Sequence, residues 1–427
     1  MFNKQVGACC LSMVLACASH ASEFVVTAGA DLEVVDNPTN ESSDELKIKE
    51  NQTTASVVLD GELIGRYARF TSDASYEVRR YSKQKGQNHD LFLGSAELEL
   101  GEEEGRVFGR VAHSAEEQLI LLSLGDTPDN LDRRRITSAT LGARLGQRGA
   151  NRFSVYANLA EMRLDTTAVN DSSRAGGGIL YSRRVSPLST FGVELSGYTL
   201  DYINTDDPSF DYRRASLSWN TELRKLNYAI QVGQNSIGSE DNDSAPYYDL
   251  SLEYDNSVHQ VSMLFRQWLT DTSQGSENGD LGNVSGPDGR LGVNDQYKRR
   301  DASIEWRFSS LCARCSTTLG VGAEREDYRR ETQLDSQESF AKAQFAYKAR
   351  RTLSVDFSYE YRDVSFLLDE DDYDQISARA NLVWSEVFKH GRLMFYMERK
   401  ERKAAELSGS YDQGIVGVSF DYQLYRR

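Results

Sequence analysis

Apolar and polar residues alternate one by one along most of the chain, and this period of two restricts the fold more than any other sequence feature. In the segment 353–362, LSVDFSYEYR, every second residue is aliphatic or aromatic and the others are Ser, Asp, Glu or Arg. The segments 214–223, 301–308 and 374–385 repeat the pattern. Successive side chains of a strand point to opposite faces. The sequence therefore predicts an all-β protein whose strands have one apolar and one polar face.

The chemistry of the polar face distinguishes between two all-β architectures. A soluble β-sandwich or β-solenoid also alternates, but its polar face need not carry charge on nearly every strand. Here the polar face is dense with Arg, Asp and Glu, and the other face is aliphatic and aromatic. This distribution favours a membrane barrel, with lipid around the apolar face and an aqueous lumen inside.

The connections between the alternating segments also alternate in length. Short turns are expected at 61–65, 148–151 and 255–258, and between them lie longer acidic loops, of which the longest is 272–295. Short turns on one rim and long loops on the other are typical of outer-membrane barrels. The hairpins predict a transmembrane antiparallel up-and-down β-barrel of about 20 strands, with a range of about 16–20. Folded inward, the longest loop would be a constriction or plug; folded outward, it would be a binding loop.

The N-terminus has the pattern of a secretory signal peptide. Lys4 precedes an apolar run at 6–18, and small residues, Ser19 and Ala21, occupy the −3 and −1 positions of a cleavage site after Ala21. The run is too short to span a membrane. We therefore expect a signal peptide at 1–21 and an outer-membrane barrel at 22–427. A lipoprotein signal ending at Cys17 is the alternative.

Cleavage after Ala21 leaves two cysteines, Cys312 and Cys315, in an exported chain. Residues i and i+3 of a β-turn lie within about 7 Å, a distance that a disulfide can span. In an oxidising compartment the C-x-x-C predicts a bridge across a turn. A redox pair usually lies at a helix N-terminus, and none is predicted here. Zinc needs two further ligands, and the candidate residues His259 and His390 fall in other turns.

The composition and motifs argue against several classes of function. The net charge of −16 disfavours nucleic acid, whose phosphates need a basic surface. His89 and His113 each precede a polar residue, but no nucleophile motif such as G-x-S-x-G accompanies them. We expect no catalysis, no metal and no cofactor.

The polar face mixes charges of both signs and includes Tyr. Tyr can stack on sugar faces and Arg can hold acidic groups, so the lumen could bind or conduct a hydrated sugar polymer. Alternatively, opposite charges pair across the strands and fill the barrel. The residues predicted to line the lumen are Tyr67, Arg69, Asp73, Glu77, Arg79, Arg214, Arg307 and Arg379.

Three stretches carry a resemblance to a known group of proteins: AGADLEVVDNPT at 28–39, the segment 56–100, and the segment 353–385. In layout the chain resembles the outer-membrane β-barrels of bacterial exopolysaccharide and exosortase (PEP-CTERM) loci, the "beta-barrel porin 2"-like group. The resemblance implies a barrel linked to exopolysaccharide export or cell-surface biogenesis, a channel or scaffold without catalysis. Its expected partners are outer-membrane lipid, exopolysaccharide and periplasmic export components. A general diffusion porin for small solutes, or a structural or adhesive barrel with a filled lumen, are the alternatives.

Overall fold

The computed structural model describes residues 21–426, apart from 43–46, 102–104, 120–130, 147–148, 206–208, 239–242, 272–294, 368–371 and 406–408. The predicted signal peptide therefore lies outside the described residues except for Ala21, and so does nearly all of the predicted loop 272–295. No helix in the described part of the chain is long and apolar enough to cross a membrane.

Twenty strands and three single 3₁₀ turns make up the described chain. The 3₁₀ turns are Lys85–Gln87, Ala168–Asn170 and Thr332–Leu334. The strands are β1 (Ala21–Asp36), β2 (Lys49–Ile64), β3 (Ala68–Tyr81), β4 (His89–Leu100), β5 (Val107–Leu119), β6 (Leu131–Leu145), β7 (Asn151–Leu164), β8 (Ser172–Ser186), β9 (Ser189–Tyr202), β10 (Phe210–Glu222), β11 (Leu226–Gly238), β12 (Asp243–Asp255), β13 (His259–Asp271), β14 (Gln296–Phe308), β15 (Cys315–Tyr328), β16 (Ser336–Arg350), β17 (Leu353–Phe366), β18 (Tyr373–Ser385), β19 (Gly391–Ala404) and β20 (Tyr411–Arg426).

Each strand pairs antiparallel with its neighbours in sequence, and β1 pairs with β20. The sheet is therefore a closed up-and-down barrel without a free edge strand, which is what a β structure needs in order to satisfy its backbone in a membrane. The prediction of an all-β antiparallel barrel is confirmed, and the strand number lies at the top of the predicted range.

The strand register places apolar side chains of neighbouring strands side by side on the outer face. Phe357 opposes Ala380, Ala380 opposes Met397, Met397 opposes Val416, and Val416 opposes Val34. The four large side chains of this row are 46–61% exposed, although they are strongly apolar. Such a band is stable only against an apolar surrounding. We call this exposed side the apolar belt and the alternating opposite side the inner face.

The two rims differ as the sequence predicts. Short turns such as 187–188, 256–258 and 351–352 lie on one rim, the short-turn rim. The connections β1–β2, β3–β4 and β7–β8 begin and end on the other, the long-loop rim. The chain therefore begins and ends its barrel on the short-turn rim.

One predicted turn is wrong. Residues 61–64 of the expected turn 61–65 belong to β2, and the turn occupies 65–67. Gly61 does not turn the chain. A Cβ atom there would lie 2.5 Å from Cδ2 of Phe24, so the glycine makes room for an aromatic ring on the neighbouring strand.

Candidate functional site: the inner face and the long-loop rim

The C-x-x-C lies in the turn between β14 and β15, on the short-turn rim. Cys312 and Cys315 form a disulfide with a Cα–Cα distance of 5.1 Å. The main-chain N–H of Cys315 donates to the carbonyl of Cys312 at 3.1 Å, as in a β-turn. The predicted structural bridge is thus present, in a turn far from the long-loop rim.

The histidines considered for a dyad lie in strands. The Nδ1 atom of His89 is 2.5 Å from the carbonyl oxygen of Gln87, and that of His113 is 2.9 Å from the hydroxyl oxygen of Thr137. Among the described residues, no group of three or more His, Cys, Asp or Glu side chains is arranged to hold a metal ion.

Two of the residues predicted to line the lumen lie at the short-turn end of β3. Tyr67 is in the turn before the strand and is exposed, with the guanidinium of Arg66 over its ring. Arg69 is the second residue of β3, where it donates to Glu62 and lies 3.9 Å from Glu99. The arginine is therefore flanked by carboxylates on both neighbouring strands.

Three more predicted residues follow along β3. Arg79 contacts Glu77 at 2.9 Å and Glu117 of β5 at 2.8 Å, and all three side chains are mostly buried. Asp73 lies opposite Asp60 of β2 in the register. Opposite charges are therefore paired at the long-loop end of β3, whereas two carboxylates lie opposite each other midway along the strand.

Arg214 stands at the centre of a polar cluster on the inner face. Its guanidinium lies 2.8 Å from Glu194 of β9 and 5.1 Å from the ring centroid of Tyr247 on β12. Gln231 connects the cluster, because it donates to Glu194 at 3.2 Å and accepts a hydrogen bond from the Tyr247 hydroxyl at 3.2 Å. Four neighbouring strands are thus joined by one hydrogen-bonded network.

Arg379 belongs to a second cluster, at the place where the barrel closes. It lies 3.5 Å from Glu398 and 4.8 Å from the ring centroid of Tyr396, both on β19. The Tyr396 hydroxyl reaches across β20 to β1 and donates to Asp31 at 2.8 Å and to Glu33. A single tyrosine therefore connects the last strands of the barrel with the first.

The predicted arginines share one property. Each of them contacts at least one carboxylate, and for Arg307 this is Glu305 at 3.7 Å. Glu305 is also 2.6 Å from Lys342 on β16. The inner face is consequently polar but largely compensated in charge. That these residues line a solute pathway stays a prediction.

Sequence reasoning missed a set of carboxylates that cap three of the long loops. Glu50, near the start of β2, is fully buried and accepts hydrogen bonds from the loop that follows β3. Its donors are the hydroxyl of Ser82 at 2.5 Å and the main-chain N–H groups of Lys83 and Gln84 at 2.9 and 3.0 Å. Hydrogen bonds to a charged acceptor are stronger than neutral ones. The cap therefore fixes this loop on the rim.

The same arrangement recurs at two other loops. Asp132 of β6 accepts the main-chain N–H groups of residues 165–167, and Asp295, just before β14, accepts those of residues 330–331. All three loops contain a 3₁₀ turn, and they follow β3, β7 and β15.

A second contact closes each of these loops at its far end. Asn88, Asp171 and Asp335 accept the N–H of the residue seven positions earlier, at 2.6–2.8 Å. The sequence signal was available: an Asn or Asp seven residues after the last residue of a strand, with an acidic residue at the start of the preceding strand. Without knowledge of strand order, however, the two parts of the signal cannot be connected.

An apolar belt, a polar inner face, short turns on one rim and long loops on the other define an outer-membrane β-barrel. No protein-family profile matches the chain, and no curated protein matches its sequence. Solved structures do resemble it. The FrpB iron transporter of Neisseria meningitidis, as apoprotein, is 9% identical, with 97% of this chain and 82% of that chain covered and a TM-score of 0.51.

Two Pseudomonas aeruginosa structures are also similar. OccK2 (OpdF), in complex with glucuronate, is 10% identical, with 94% of this chain and 98% of that chain covered and a TM-score of 0.43. OpdO is 10% identical, with 96% and 100% covered and a TM-score of 0.46. At these identities the similarity concerns the fold.

Proposed function

We propose that the protein is a channel of the bacterial outer membrane, without catalysis, through which hydrated polar molecules pass in exopolysaccharide export or cell-surface biogenesis. The observation that carries this proposal is the inner face. Polar networks such as that of Arg214, Glu194 and Gln231 lie opposite an apolar belt. A polar wall inside a closed barrel lets water and polar solutes stay hydrated during passage.

An exposed tyrosine and an exposed arginine near the short-turn end of β3 favour sugars as the solute class. Tyr67 is 56% exposed, and the side chain of Arg69 is 55% exposed. Tyrosine rings stack on the apolar faces of sugar rings, and guanidinium groups bind carboxylates with two parallel hydrogen bonds. An acidic polysaccharide offers both features. The resemblance to barrels of exopolysaccharide loci points to the same class.

A general diffusion porin is the second candidate, and charge compensation on the inner face favours it. Each predicted arginine already contacts a carboxylate. A channel that guides a polyanion needs unpaired cationic groups along its lumen, whereas a general porin needs only a hydrated polar lumen surface. This candidate predicts weak ion selectivity and no effect of a polymer on the current.

Single-channel conductance of the refolded protein in a planar bilayer tests both candidates. Steady conductance that added acidic polysaccharide blocks reversibly supports polysaccharide passage. Steady conductance that the polymer leaves unchanged supports the general porin. A folded barrel, recognised by heat-modifiable gel mobility, that conducts nothing would overturn both and identify a structural or adhesive barrel. Recovery of the protein in the soluble periplasmic fraction of cells would contradict the location itself.

A further inference from the structure

The hairpin of β13 and β14 leaves the barrel wall near the long-loop rim. The ladder between β12 and β13 ends at the pair Tyr248–Gln267. The ladder between β13 and β14 continues four residues further, to Asp271 opposite Gln296. The last residues of β13 therefore keep their partner on one side and have lost it on the other.

Pro246 gives a reason for the separation. It lies on β12, two residues beyond the last pair with β13, and proline has no N–H with which to extend a ladder. Its carbonyl instead accepts a hydrogen bond from the Gln267 side chain at 2.7 Å. The side-chain bond marks the point where β13 departs from β12.

The separated residues 268–271, which we call the arm, contact strands on another part of the barrel. Asp271 lies 3.1 Å from Arg174 of β8, and both side chains are buried. Leu269 packs in one apolar cluster with residues of β9 to β12, including Leu200, Phe210, Ile237 and Ala245. Five strand spacings separate β13 from β8, about 24 Å along the wall. No side chain reaches that far, so the arm leaves its place in the wall and folds inward over the inner side of β9 to β12.

A second segment reaches the same place. Arg330, in the loop after β15, lies 5.6 Å from the ring centroid of Phe210 on β10. Its main-chain N–H donates to Asp295, at the base of the same hairpin. Trp268 and Thr270 of the arm are 1% and 0% exposed. The arm is therefore packed on several sides within the described structure.

We propose that the arm is a size-limiting bridge across the channel, fixed at its far end by the ion pair between Asp271 and Arg174. The inference rests on the proposed channel function. Removing one partner of a buried ion pair leaves an uncompensated charge and is strongly destabilising. Reversing a charge of this pair is therefore a direct way to change the position of the arm.

Charge reversal provides the functional test. Asp271→Arg places two cations together, so the arm should detach and the unitary conductance should rise, on the order of twofold if the bridge covers half of the open cross-section. The double variant Arg174→Asp with Asp271→Arg restores the pair and should return the conductance to its original value. Asp412→Asn, which removes a carboxylate from the exposed pair with Arg399 on the rim, is the matched control and should change nothing.

Cross-linking tests the geometry without using conductance. In a variant with Arg174→Cys and Asp271→Cys, a short bis-maleimide should join the two positions within one chain, since Cys312 and Cys315 are already bonded. A cross-link in a protein that never conducts, in any variant, would keep the bridge and overturn the channel. A conducting protein without a cross-link, or with conductance unchanged by Asp271→Arg, would overturn the bridge.

Discussion

Tyr396, on the inner face of β19, connects the end of the barrel with its beginning. Its hydroxyl donates to both Asp31 and Glu33, which belong to the first strand. A Cβ atom at Gly417 would lie 2.3 Å from Cζ of the Tyr396 ring, so only glycine lets the ring lie across β20. The alternation of the sequence predicts that position 396 faces inward. It does not predict the contact, because the two partners come from opposite ends of the chain.

Tyr396→Phe should lower the stability of the barrel by about 1–3 kcal/mol, because two half-buried carboxylates lose their donor. The measurement is the urea concentration at which heat-modifiable gel mobility is lost. Tyr76→Phe is the control, since its exposed hydroxyl makes only a 3.4 Å contact with Asp90. Equal midpoints for the two variants would contradict the role of Tyr396.

The disulfide is a local staple and should behave as one. Replacing both Cys312 and Cys315 with serine should cost about 2 kcal/mol, since the closed ring is very small. The variant should still insert and conduct as the unchanged protein does. Loss of conductance with retained folding would show a role for the bridge that its place on the short-turn rim does not suggest.

At the scale of elements, the three capped loops of the long-loop rim are more ordered than their polar sequences indicate. A loop sequence rich in Asp, Ser and Gly usually indicates a mobile connection. Here Glu50, Asp132 and Asp295 each hold several main-chain N–H groups of a neighbouring loop. Strand segments were predictable because a period of two needs only local sequence. The caps were not, since each joins residues 33–36 positions apart.

Removing one cap should loosen one loop. In Glu50→Ala, the N–H groups of Lys83 and Gln84 lose their acceptor, and the loop after β3 should open to trypsin at Lys83 and Lys85. The measurement is the rate at which the folded protein is nicked between β3 and β4. Asp90→Asn removes a carboxylate from the same hairpin without touching the cap. Similar nicking rates in the two variants would refute this account.

For the whole molecule, the sequence predicts the closed barrel, because alternation and the two classes of connection are global properties. It cannot predict the arm. The contact of Arg174 with Asp271 joins residues 97 positions apart, and the departure of β13 depends on one proline in another strand. Likewise, the pairing of charges on the inner face requires the register, which the sequence leaves open.

Ion selectivity is a property of the whole inner face, and it should respond to a single unpaired charge. Arg214→Gln leaves Glu194 without its cationic partner at 2.8 Å, so the reversal potential in a salt gradient should shift toward cation preference. Arg399→Gln, on the exposed rim, is the control. An unchanged reversal potential in Arg214→Gln would mean that this part of the inner face is not on the ion pathway.

The seam between β1 and β20 also determines the order of assembly. The Tyr396–Asp31 contact joins residues 365 positions apart, so closure depends on contacts of very high sequence separation, which form slowly. Until β20 arrives, β1 and β19 are open edges that can pair with other chains. We therefore expect both edges to be shielded while the nascent protein inserts, and we expect closure to be its last folding step.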